Sequence, residues 1–159
     1  MSKAQVILAP SRELHQWTKS VFLAGTTTRT DDGDWRVDLT KSLADLPITI
    51  LNPYRPDWDS SWREEISCTP YREQVEWELK KQDDADIVVF YFHPMTEAPI
   101  TLLELGLCAK TGKAIVVCPE GYKKRGNVQI ICQKYGIEIV DGLKKLAEAI
   151  RKRVPSSSH

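Results

Sequence analysis

The chain has 159 residues, 42% of them hydrophobic and 28% charged, with 22 Lys plus Arg set against 22 Asp plus Glu. That length suits a single domain with a real core, and a formal net charge of zero excludes general affinity for a nucleic acid polymer or an anionic membrane surface. No apolar run approaches the roughly 20 residues that a membrane-spanning helix needs.

In chain order, "QVILAP" (5–10) offers an edge strand, inside an N-terminal extension of residues 1–19. The stronger strand signals follow: "VFLAG" (21–25), "ITILNP" (48–53), "DIVVFYF" (86–92), "AIVVCP" (114–119) and "IEIV" (137–140). The third and fourth are almost continuously apolar and β-branched, as in strands covered on both faces of a parallel sheet. Helical patterns separate them. "DWRVDLTKSLADL" (34–46) comes first. "TPYREQVEWELKKQDDA" (69–85) has Thr69 placed to cap and Pro70 at the first helical position. "PITLLELGLCAKTG" (99–112) opens on Pro99 and closes at Gly112. "RGNVQIICQKYG" (125–136) and the amphipathic "DGLKKLAEAIRKRV" (141–154) complete the series, and residues 154–159 form a disordered tail.

Five alternations of strand and helix predict one α/β domain over residues 20–153. Its sheet is a flavodoxin-like, doubly wound parallel sheet of five strands in the order 2-1-3-4-5. In such a sheet ligands bind beyond the carboxyl ends of the strands. The segments that gather there are "GTTTRTDDGD", "NPYRPDW", "HPMTEAP" and "PEGYKKRGN". Their hydroxyls, carboxylates, amides and rings suit a small polar ligand with a flat ring. The stretch "PYRPDWDSSWREEISC" (53–68) is too long for a plain connection and is read as functional.

The four cysteines, Cys68, Cys108, Cys118 and Cys132, lack CxxC spacing, and no signal peptide precedes them. They are read as reduced thiols of a cytoplasmic protein. No HExxH or Cys/His set suggests a metal, and "GTTTRT" lacks the GK[ST] of a P-loop, so neither a metal nor another cofactor is expected. His93 alone in its loop reads as structural. Asp86, just before the most apolar strand, reads as orienting a turn.

Glu104 stands out. It sits in the second turn of a helix, among Leu102, Leu103, Leu105 and Leu107. Apolar neighbours raise a carboxyl pKa and a helix N-terminus lowers it. Such a group is either a nucleophile or acid/base, or an ordinary Glu on the solvated side of an amphipathic helix. Glu78, one turn from Lys81, reads by spacing as half of a surface ion pair.

Taken together, "FLAG", the "NP" that follows the second strand, "YREQVEWELKKQDDADIVVFYF", "PITLLELGL" and "PEGYKKRGNVQIICQKYGI" resemble a divergent branch of the nucleoside 2-deoxyribosyltransferase-like proteins, across roughly residues 20–137. The resemblance implies a flavodoxin-like fold and cleavage of N-glycosidic bonds. The products would arise by moving 2-deoxyribose between nucleobases, or by hydrolysing a nucleoside or its monophosphate. It makes Glu104 the nucleophile that forms a glycosyl-enzyme, and Glu78 the acidic residue that handles the base and its proton. It places Ala24, Gly25 and Thr26 against the sugar and Asn52 and Arg55 against the base. Asn127 would be lent to a neighbouring subunit in a homodimer or larger homo-oligomer. The chain departs from the pattern at Ala98, where classical members carry a base-binding Asp and monophosphate hydrolases a Ser. That departure weakens a monophosphate substrate, with Lys123, Lys124 and Arg125 as partial compensation. The alternative reading is a non-catalytic nucleoside or nucleotide sensor, or an interaction module, that keeps the pocket without turnover.

Overall fold

Residues 87–91 and 114–117 are buried along nearly their whole length, and they need cover on both sides. The computed structural model, which describes residues 3–26 and 33–155, supplies that cover. The strands are β1 (Gln5–Leu8), β2 (Lys19–Gly25), β3 (Ile48–Asn52), β4 (Ile87–Tyr91), β5 (Ala114–Val117) and β6 (Glu138–Val140). The helices are α1 (Trp35–Ser42), α2 (Thr69–Asp84), α3 (Pro99–Cys108), α4 (Arg125–Tyr135) and α5 (Leu143–Arg153). The sheet runs β1-β3-β2-β4-β5-β6 with every neighbouring pair parallel.

The predicted order 2-1-3-4-5 is therefore present as β3-β2-β4-β5-β6. The count differs from the expected five strands: β1 adds a sixth at the outer edge, in register with β3 from Gln5↔Thr49 to Leu8↔Asn52. Four residues of backbone pairing suffice for it, because Ile7 alone of its side chains is fully buried.

Alternate side chains divide the core in two, as the period-2 pleat requires. Phe22, Ala24, Leu51, Val88, Phe90 and Val116 meet α2, α3 and α4 through Trp77, Leu105, Cys108, Val128 and Cys132. Val21, Leu23, Ile50, Val89, Ile115 and Val117 meet α1 and α5 through Trp35, Leu39, Leu146 and Ile150. All four cysteines are free, and three are buried; burial pushes the Cys118 and Cys132 thiols up to about 11.

Three boundaries move from the sequence reading. The helix expected over 34–46 ends at Ser42, because Pro47 holds Leu46 out of the α region and the fully buried Leu43 turns the chain inward. Thr69 is the first helical residue of α2 and not its cap; Cys68 occupies the cap without a side-chain hydrogen bond, and Pro70 falls one position later than expected. α3 opens on Pro99 as expected but ends at Cys108, four residues before Gly112, whose φ of +78° turns the chain toward β5. From residue 27 onward, "TTRTDD" lies outside the described residues, as do residues 156–159 of the tail. No helix among the described residues is long and apolar enough to cross a membrane.

Candidate active site

The carboxyl ends of β2 and β4 approach each other too closely for a side chain. A Cβ on Gly25, whose φ is +144°, would stand 2.7 Å from both the nitrogen and the oxygen of Tyr91 and 2.9 Å from the Trp35 ring. Thr26 closes the same seam. Its N–H donates to Tyr91 O at 2.8 Å. Its hydroxyl accepts from the His93 N–H at 3.0 Å and lies 3.0 Å from Thr96 Oγ1, which in turn donates to His93 O at 2.9 Å. The expected sugar-facing trio of Ala24, Gly25 and Thr26 thus forms a clamp between β2 and the loop after β4. Thr26 and Ala24 are buried, so the backbone is what this trio offers a ligand.

Trp35 and Arg36 begin α1 and fold over that seam. Asp34 caps the helix by accepting from the Arg36 N–H at 3.0 Å. The Trp35 indole donates to Thr26 O at 3.0 Å and stacks on Tyr91 with centroids 5.0 Å apart. Arg36 then reaches the ends of β2, donating from Nε to Leu23 O at 3.1 Å and from Nη2 to Gly25 O at 3.3 Å. The guanidinium is 8% exposed. Burial holds its pKa down to about 10, against the pull of Asp34, Glu78 and Glu104.

Opposite stands one face of α2. Gln74, Glu78 and Gln82 recur every four residues and so align along the helix. Gln74 Nε2 donates to Pro53 O at 2.8 Å and to Glu78 Oε1 at 3.2 Å. Gln82 Nε2 donates to Glu104 Oε2 at 2.5 Å, which joins α2 to the second turn of α3. Glu104 is buried at 8% exposure, against the alternative of a solvated helix face. Burial raises its pKa, while the Gln82 hydrogen bond and the Arg36 charge lower it. Burial and the Glu104 charge push Glu78 up to about 7, again opposed by Gln74 and Arg36. The surface ion pair expected of Glu78 and Lys81 does not form; Glu78 turns toward Gln74 and Lys81 toward His15. Two carboxyl groups and one fixed cation therefore form an electrostatic unit in which burial raises both carboxyl pKa values, Arg36 opposes the rise at each, and Glu78 keeps its proton close to neutrality.

The long segment after β3 stands near Glu78. Trp58 and Trp62 meet edge to face at 5.0 Å, and Trp58 leans on Tyr71 at 6.2 Å; Tyr71 is close enough to Glu78 for that charge to raise its pKa, after burial. Arg55 holds this segment together. It donates to Asp57 at 2.8 Å, pairs with Glu73 at 3.0 Å and lies 4.9 Å over the Trp62 ring. Its guanidinium is engaged between the loop and the first turns of α2. Asn52 is likewise turned inward, its side-chain oxygen accepting from the Tyr54 N–H at 2.9 Å. Asn127 is exposed in the first turn of α4, and no hydrogen bond ties it to either glutamate. His93 is buried and accepts from the Met95 N–H through Nδ1 at 3.0 Å. Asp86 accepts from the Ser20 N–H at 2.8 Å, so it ties the start of β4 to the start of β2 where a turn-orienting role was expected.

A sequence profile described as "Nucleoside 2-deoxyribosyltransferase like" matches residues 18–122, about two-thirds of the chain. The chain belongs to the nucleoside 2-deoxyribosyltransferase-like family. No individually curated protein matches it. The matched span of this family member runs from the edge of β2 to the turn before α4, and so contains Arg36, Gln74, Glu78, Gln82 and Glu104 together. Three of these escaped the sequence reading. Gln74 and Gln82 had a signal, their spacing of four on either side of Glu78. Arg36 had none, because a basic residue in the first turn of a short helix reads as solvated.

Proposed function

We propose that this family member is an N-glycosidic-bond enzyme acting on nucleosides or deoxynucleosides, with Glu104 as nucleophile and Glu78 as acid/base. The observation that carries the proposal is the unequal pair of carboxyls beside Arg36, Glu104 buried and Glu78 half-buried. The Glu104 carboxylate attacks the anomeric carbon as the bond from that carbon to the base nitrogen breaks. The base leaves with the electron pair and takes the Glu78 proton. A second base or a water, losing its proton to Glu78, then displaces Glu104 and releases the sugar product. A second base completes 2-deoxyribosyl transfer and water completes hydrolysis. The Trp58, Trp62 and Tyr71 rings offer stacking surface for a base. The buried Gln74 Oε1, which has no hydrogen-bond partner, offers an acceptor for a base N–H.

Assembly belongs to the same proposal. Ile100, Leu103 and Leu107 leave 54%, 61% and 61% of their surface exposed along one stripe of α3, next to Met95 at 83%. A second copy of the chain packed on that stripe removes it from water and brings the neighbour's α4, with Asn127, toward the site.

One observation favours a binding module instead: the short Gln82 bond occupies an oxygen of Glu104 that a nucleophile needs free. Incubation with a panel of nucleosides and their monophosphates, with and without an acceptor base, separates the readings. We expect base release or exchange by wild type, and a loss on the order of 10⁴-fold or more in Glu104→Gln with ligand binding retained. Equal activity in that variant overturns the glycosyl-enzyme. A silent wild type that still binds nucleosides establishes the binding module.

A further inference from the structure

α2 has a second flank. The face carrying Gln74, Glu78 and Gln82 looks toward α3, while Arg72, Glu73, Glu76, Trp77, Lys80 and Lys81 look toward the segment that follows β1. Between them lies a groove of about 1020 Å³, walled on its other side by residues 10–15. The Trp77 indole donates to Ser11 O at 2.8 Å and ties that wall to the helix.

Most charges in the groove already have partners. Arg72 pairs with Glu76 at 3.2 Å and Lys80 with Asp84 at 3.3 Å. Glu73 pairs with Arg55 at 3.0 Å, and Glu13 accepts from the Gln5 amide at 3.1 Å. Lys81 is different. It is 9% exposed, and its one side-chain hydrogen bond runs to His15 Nε2 at 3.3 Å. Among the described residues no carboxylate lies within 4.0 Å of its ammonium. A buried ammonium normally sits against an anion, and an imidazole nitrogen accepts from it only when that nitrogen carries no proton. His15 is held in this form, its pKa lowered by burial and then by Lys81, with Lys80 adding to the effect and Asp84 and Asp86 opposing it.

We propose that this groove is a second ligand site, separate from the glutamate pair, for a small organic oxyanion whose phosphate or carboxylate end seats on the Lys81 ammonium and the His15 imidazole. The body of the ligand lies along Trp77, and Arg12, exposed at the rim and without an ion-pair partner among the described residues, meets it from the open side. An oxyanion there attracts a proton to His15, so the imidazole becomes a second donor and occupancy raises its pKa.

The test follows the His15 ring nitrogens by ¹⁵N NMR during titrations with inorganic phosphate, phenyl phosphate and benzoate. We expect a saturable shift with at least one probe and an upward move of the His15 titration midpoint. Binding should weaken at least about tenfold in Lys81→Met and stay unchanged in Lys145→Met, on α5 away from the groove and paired with Asp141. Saturation by the phosphates alone assigns a phosphate ester, and saturation by benzoate alone assigns a carboxylate. Should Lys81→Met fail to fold, His15→Gln provides the comparison, with binding read in both proteins from the ¹⁵N–H shift of the Trp77 indole that lines the groove. No saturable shift with any probe, or the same affinity in Lys81→Met or His15→Gln as in wild type, overturns the proposal. None of these readouts needs turnover, so they stand apart from the fate of the glycosidase reading.

Discussion

The proton on Glu78 links chemistry to stability. The folded protein holds that proton up to about pH 7, whereas a free glutamate releases it near 4.5. Between those values the native state binds more protons than the unfolded chain, so this site makes the protein less stable as pH rises. The contribution reaches the order of 3 kcal/mol above pH 7. Glu78→Gln removes it. We expect the variant to match wild type near pH 4 in urea unfolding and to exceed it by up to that order at pH 8, while losing base release. A wild-type and variant difference that does not change with pH rejects the buried-proton account. Arg36 acts on the same proton from the other side. Replacing it with Met removes a cation that lowers both carboxyl pKa values. Carboxyl ¹³C NMR of Glu78 and Glu104 should then show both titrations displaced upward, by about one unit or more. Unmoved titrations would show that Arg36 serves only the backbone carbonyls it touches.

At the scale of elements, the seam between β2 and β4 is the tightest point of the site. Gly25→Ala forces a methyl to 2.7 Å from Tyr91 backbone atoms at a φ that side chains avoid. We expect a loss of roughly 2–3 kcal/mol in chemical denaturation, together with displacement of the Trp35 ring seen in its fluorescence. The sheet and its order were legible in the sequence because β4 and β5 are apolar on both faces and helical periods separate the strands. Helix ends were less legible. Thr69 and Pro70 carry the right chemistry for a start, yet the turn geometry at Cys68 decided the register. Within the site, Glu104 showed itself by its apolar neighbours and Glu78 only through the family resemblance. Arg55 has the chemistry of a ligand-reading residue, but Asp57 in its loop and Glu73 on α2 engage it, a tertiary outcome that no local pattern announces. The groove behind α2 was equally hidden, since residues 10–15 have neither period nor motif.

For the molecule as a whole, the proposed assembly is tested at the exposed α3 stripe. In the proposed assembly a two-fold axis through the stripe would set Leu103 near its own counterpart, so Leu103→Glu would place like charges in apolar surroundings. We expect sedimentation to give a dimer or larger assembly for wild type and a monomer for the variant, with the fold intact by circular dichroism. Activity should fall if Asn127 serves the neighbour's site. A wild type that sediments as a monomer at micromolar concentration and is fully active removes the assembly proposal.

The added edge strand has a consequence for how the chain acquires its shape. β1 precedes β2 in the chain, yet it pairs only with β3, the partner of Gln5 being Thr49. Until β2 and β3 have joined, β1 has no template and must wait as an open segment. Its docking is a long-range closure made late, with one fully buried side chain, Ile7, to hold it. β1 is thus an edge strand with a small hold on the sheet, and residues 10–15, tied to α2 through Trp77–Ser11 and Lys81–His15, are continuous with it. Release of β1 would therefore move one wall of the groove behind α2 without disturbing the β2–β4 seam where the glutamates stand.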